Sequence, residues 1–200
     1  MVTARSPTLA TITLFVVVFV FETLARLVGV FPALFVLAPP VTTHPWTIIT
    51  SIYAHAGVIH LLGNAVALVL PGFLLERQTT VLRYHAYFVA TGATAGIVEI
   101  TVGPLLGSPA GVIGASGAVF AIIGYVVAAN RLTDAAIGGI EVSARLQLLV
   151  FVGLAVLVTV ATGRPGVAVV AHFTGLLLGL VAGRAHVLRP HPDRSVASSR

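Results

Sequence analysis

Four residues in this chain combine a type and a spacing that could do chemistry: His60, Asn64, Ser116 and His172. A serine hydroxyl is a poor nucleophile until a neighbouring base takes its proton, and imidazole is the usual base near neutral pH. Acyl transfer through such a hydroxyl also needs hydrogen-bond donors aimed at the developing oxyanion. His60 and Asn64 are four residues apart and share a face of any helix they occupy, where an imidazole N–H and an amide can both donate. No Asp or Glu stands near these positions in the sequence to orient the base, so the pattern implies a Ser116/His172 dyad rather than a triad.

Each residue also has a plainer reading. A lone serine in an apolar helix usually packs or bonds to its own backbone, and His60 and Asn64 could simply tie helices together. His55, His60 and His172 could ligate a metal, but no HExxH is present and no carboxylate joins them. His55 and His60 are five apart and would diverge around a helix, so no metal and no other cofactor is expected.

Residues from three distant stretches need a scaffold, and composition says what kind. Of 200 residues, 58% are hydrophobic and 8% charged, and the mean hydropathy is +1.06. A soluble domain carries about a quarter charged residues. The expectation is an all-α integral membrane protein embedded in the lipid bilayer. It has room for one domain over residues 1–200, with a core of about 8–188 and a short tail, 189–200. The net charge of +5 comes from arginines scattered between apolar runs, not from the clustered basic face that nucleic-acid binding needs. Cysteine is absent, which excludes disulfides and thiol catalysis.

A helix crossing the hydrocarbon needs roughly 20 mainly apolar residues. Six stretches qualify approximately: Thr8–Val30, Val58–Leu75, Arg83–Thr101, Val112–Ala129, Leu146–Ala161 and Val167–Leu188. The first is too long for a signal-peptide core and is expected to be retained. Nine arginines fall in the two tails and the connections Glu76–Leu82 (Arg83 at its edge) and Asn130–Arg145. The alternate connections contain Arg164 alone, so both termini are expected to be cytoplasmic. Glu22 and Arg26 suit a structural ion pair within span one, whereas Glu99 in span three has no evident role. The Pro-rich but apolar segment Phe31–Gly57, with Trp46 and Tyr53, is expected at the outer interface.

With that orientation, spans two, four and six all enter from the outside. His60, Asn64, Ser116 and His172 then lie roughly 3–9 Å below the outer ends of their helices. Polar groups inside a membrane usually face a bundle interior or a water-filled cavity, and a shared depth suits one common site. Gly111, Gly114 and Gly117 surround Ser116, and Gly175, Gly179 and Gly183 follow His172 at every fourth residue. Small residues at that spacing let helix backbones approach closely.

Gly114-Ala115-Ser116-Gly117 resembles the GxSG nucleophile motif of the rhomboid intramembrane proteases. His60-Leu61-Leu62-Gly63-Asn64 is similar to their second-helix HxxxN motif. Ala171-His172-Phe173-Thr174-Gly175, with Gly179 beyond it, resembles the sixth-helix motif carrying the base. The resemblance covers about Thr8 to Leu188 and implies a six-helix bundle. It further implies a serine endopeptidase acting on transmembrane protein substrates, with Ser116 and His172 catalytic. His60, Asn64 and the Ser116 backbone N–H become oxyanion donors, while His55 and Glu76 match structural positions. Two departures stand out: Trp46 is followed by Thr47 where the family commonly has Arg, and Phe120 replaces a Tyr that stacks on the base. Rival readings are a small six-helix transporter and a catalytically silent relative that binds membrane helices. No internal repeat supports the first, and the retained dyad argues against the second.

Overall fold

Three helices begin at a hydroxyl cap in the computed structural model, which describes residues 6–107, 111–129, 143–163 and 167–189. Helix α1 spans Pro7–Leu27, with the Ser6 hydroxyl accepting the Leu9 N–H and Pro at the first helical position. Two short helices follow, α2 (Phe31–Phe35) and α3 (Thr47–Tyr53), and then α4 (Val58–Glu76). Helix α5 (Val81–Val102) is capped by Thr80 and continues into a 3-10 turn, Gly103–Leu106. The remaining helices are α6 (Ser116–Ala128), α7 (Ala144–Thr162, capped by Ser143) and α8 (Val169–Arg184). Among the described residues all regular structure is helical, apart from one antiparallel bridge between Leu37 and Val112.

Three elements are long and apolar enough to cross a membrane: α1, α4, and α5 with its turn to Leu106. Helices α6 and α8 and the 148–161 portion of α7 are apolar but shorter. Six apolar helices therefore stand where six spans are expected, three of them below full spanning length. Helix α8 is shorter than expected at both ends, Val169–Arg184 instead of Val167–Leu188, and α6 starts late, at Ser116 instead of Val112. Val112 instead exchanges backbone hydrogen bonds with Leu37, at 2.9 and 3.0 Å, and Gly114 turns the chain with φ of 126°. A short α6 is tolerable because it sits inside the protein, where its backbone ends do not meet lipid.

Helix α6 is the hub. Ala118, Ala121, Ile122 and Tyr125 are buried, and α4, α5 and α8 pack around it. Helix α1 leans on α4, and α7 on α8. The outward faces stay apolar: Val20 and Leu24 of α1 and Val66 and Leu70 of α4 are exposed, as a lipid-facing surface requires. The closest contact is α6 against α8. A Cβ on Gly175, Gly179 or Gly183 would strike the carbonyl oxygen of Gly117, Ala121 or Tyr125 respectively. Glycine every fourth residue thus lets two backbones touch over two turns, in the manner of small-residue packing in membranes. The connection 130–142, Arg164 with its neighbours, and the tail beyond Arg189 lie outside the described residues.

Candidate active site

Ser116 is the first residue of α6, preceded by a backbone turn that only glycine suits. Gly114 has φ in the left-handed range, and a Cβ there would lie 2.6 Å from His60 Cε1. Its N–H donates to the Ser51 carbonyl at 2.9 Å, tying the turn to α3. First-turn N–H groups have no intrahelical acceptor, and that of Ser116 is one of them. Ser116 faces a cleft of about 590 Å³ that His60, Asn64, Glu99, Phe120 and His172 also line. Apolar residues such as Ile59, Ala67 and Ile123 complete its walls.

His172 lies in the first turn of α8, its N–H donating to Ala168 at 3.1 Å. Its ring packs on Phe120 with centroids 4.5 Å apart and planes tilted by 33°. Phe120, one turn after Ser116 on the same helix, thus supports the imidazole without offering a hydroxyl. The His172 Nδ1 is buried with no partner among the described residues.

His60 and Asn64 share a face of α4, as their spacing predicts. The Ala56 N–H donates to His60 Nδ1 at 3.3 Å. A neutral His60 ring bonded in that way carries its proton on Nε2, the edge nearer Gly114. Asn64 is 6% exposed and donates one amide hydrogen to the His60 carbonyl at 3.0 Å, leaving a second to give.

His55 does not diverge from His60 as two helical residues five apart would. It precedes α4 in extended chain, and its fully buried ring stands edge-on to His60 at 5.2 Å. Burial pushes the His55 ring down to about 4, with His60 acting in the same direction. The Tyr53 backbone opposes both, although neither ring nitrogen reaches hydrogen-bond geometry with it. The His55 peptide is held from both sides: Glu22 Oε1 accepts its N–H at 2.8 Å, and Arg26 donates to its carbonyl at 3.4 Å. Glu22 and Arg26 are themselves 3.8 Å apart, so the expected ion pair is also a clamp on this segment. Trp46 donates its indole N–H to the Ala33 carbonyl at 2.9 Å, and buried Thr47 bonds the His44 carbonyl. These two residues hold the connection between α2 and α3 and do not line the cleft.

Glu76 lies at the far end of α4, about 24 Å along the helix from His60. Its Oε2 accepts from the Ser6 hydroxyl at 2.7 Å and from the Thr8 N–H at 3.2 Å, anchoring the start of α1. Glu99 is the residue that sequence reasoning missed. A carboxylate does stand beside His172: Glu99 Oε2 accepts the N–H of Ala171, the preceding residue, at 2.7 Å. An acid inside an apolar span was a visible signal. Its partner, 72 residues away, was not visible.

A family model described as Rhomboid domain matches residues 42–189 of this chain. Among curated proteins, RHOMBOID-like protein 4 of Arabidopsis thaliana is 31% identical over 73% of this chain. RHOMBOID-like protein 5 of the same plant is 30% identical over 72%, and RHOMBOID-like protein 6, mitochondrial, 29% over 72%. The chain spans 35–45% of the length of these relatives.

Proposed function

Because the chain belongs to the rhomboid family, a family of multi-pass integral membrane proteins, we propose that it is an intramembrane serine endopeptidase with a Ser116/His172 dyad. The observation that carries this reading is the meeting of Ser116, His172, His60 and Asn64 on one cleft within a bundle of apolar helices. Residues 1–200 act as one domain.

In the proposed reaction the Ser116 Oγ attacks the carbonyl carbon of a peptide bond in or near a substrate's transmembrane helix. Its proton passes to His172; with Nδ1 turned into the protein, Nε2 is the nitrogen left to receive it. The oxyanion accepts hydrogen bonds from the Ser116 N–H, the second Asn64 amide hydrogen and the His60 Nε2–H. Collapse of the tetrahedral adduct breaks the C–N bond, and His172 returns the proton to the leaving amine. A water deprotonated by His172 then hydrolyses the acyl-serine ester and restores the hydroxyl. The partners are transmembrane proteins in the same bilayer, and the residues that carry the reaction require no cofactor.

The arginine distribution supports an orientation with both termini on the cytoplasmic side and the cleft open to the extracytoplasmic side, and the membrane proposed is the plasma membrane. The test is labelling of the detergent-solubilised protein with a fluorophosphonate probe, beside Ser116→Ala and His172→Ala. The wild type labels and both variants lose at least about 100-fold in rate. A folded wild type that does not label, or a His172→Ala variant that labels as fast as wild type, sinks the dyad.

A further inference from the structure

The first turn of α8 lacks what the starts of α1, α5 and α7 have. Ala168 occupies its cap position and has no side-chain oxygen to take a backbone N–H. Glu99, near the end of α5 and 1% exposed, supplies that oxygen from another helix through its bond to the Ala171 N–H. The bonded residue immediately precedes His172. Glu99 also lines the cleft, and its Oε1 and the His172 Nδ1 are both buried without a partner among the described residues. This carboxylate is therefore placed where it determines how the first turn of α8, and with it the imidazole, sits against Phe120 and Ser116.

We propose that Glu99 is a positioning residue for His172, acting as a cap donated in trans to α8. The role assigned to His172 rests on the protease reading above; the capping of the turn does not. An acceptor oxygen, not the charge, carries the effect. A displacement of the base by a fraction of an ångström is enough to slow a proton transfer that depends on alignment.

The experiment compares wild type, Glu99→Leu, Glu99→Gln and the double variant Glu99→Leu/Ala168→Ser. Two quantities are read: fluorophosphonate labelling rate against probe concentration, and amide hydrogen exchange at Ala171 and His172. Glu99→Leu is expected to lower the maximal labelling rate by about 10- to 100-fold at an unchanged half-saturating probe concentration. Its Ala171 and His172 amides exchange faster. Glu99→Gln keeps an acceptor and stays within about threefold of wild type in both quantities. Ala168→Ser restores a local cap and recovers most of the loss, an outcome that damage to the cleft walls could not produce. Wild-type labelling and exchange in Glu99→Leu, or a Gln variant as impaired as Leu, overturns the proposal. Should the folded wild type fail to label, the protease reading falls, and exchange alone decides whether Glu99 holds the turn.

Discussion

The two ends of α4 treat buried polar groups in opposite ways. At the Glu76 end the carboxylate accepts the Ser6 hydroxyl and the Thr8 N–H, and the Thr8 hydroxyl bonds the Tyr84 hydroxyl at 3.3 Å. At the His60 end, Glu99 Oε1, His172 Nδ1 and both His55 nitrogens are buried without a hydrogen-bond partner among the described residues. The Thr79 hydroxyl is the exception near Glu76. Each unpaired buried group costs about 1–3 kcal/mol, so natural folds rarely gather several in one place. Where they do gather, the group of residues is commonly retained for chemistry at the expense of stability. At one end of the helix the buried polar groups are fastened in hydrogen bonds, and at the other several are left without one.

Four substitutions test the difference between the two ends. The largest effect is expected from Gly179→Val, whose Cβ would strike the Ala121 carbonyl. Backbone cannot yield as a side chain can, so α6 and α8 separate and little folded protein survives detergent extraction, as gel filtration would show. A monodisperse, fully labelling Gly179→Val protein would mean that the α6–α8 contact is not what assembles the site. Next, if Asn64 is an oxyanion donor as proposed, Asn64→Ala should slow substrate cleavage about 10²–10³-fold with little change in melting temperature. Loss of stability without loss of rate would assign Asn64 to the fastened kind of residue.

Glu76→Ala reverses that signature. Removing the acceptor for the Thr8 N–H should destabilise the protein by about 1–3 kcal/mol while the labelling rate per folded molecule stays put. A rate that falls with it would erase the distinction between the two ends. The smallest effect concerns His55, which lies outside the spans. Its folded-state value near 4 sits below the ordinary 6.5, so the unfolded chain binds a proton that the folded chain refuses. Stability is level above about pH 6.5 and declines as pH falls toward 4. His55→Phe should flatten that decline in melting scans, and an identical decline in both proteins would assign it to other groups.

The residue pattern carried much of this molecule by itself. Apolar content summed over some twenty residues is a local quantity, so the apolar helices could be read from the chain alone. The pairing of His60 with Asn64 follows from helix periodicity, and the close approach of α6 to α8 from glycines four apart. Three features needed the tertiary structure. The start of α6 is decided by the bond between Val112 and Leu37, partners 75 positions apart that hydropathy cannot relate. His55 reaches His60 because the chain between them bends before α4 begins. Glu99 finds its purpose in an N–H that every residue but proline carries, so no residue type could announce it. Burial within a span is written in composition, whereas which buried group meets which is settled by packing, as where Glu99 meets the Ala171 N–H beside His172.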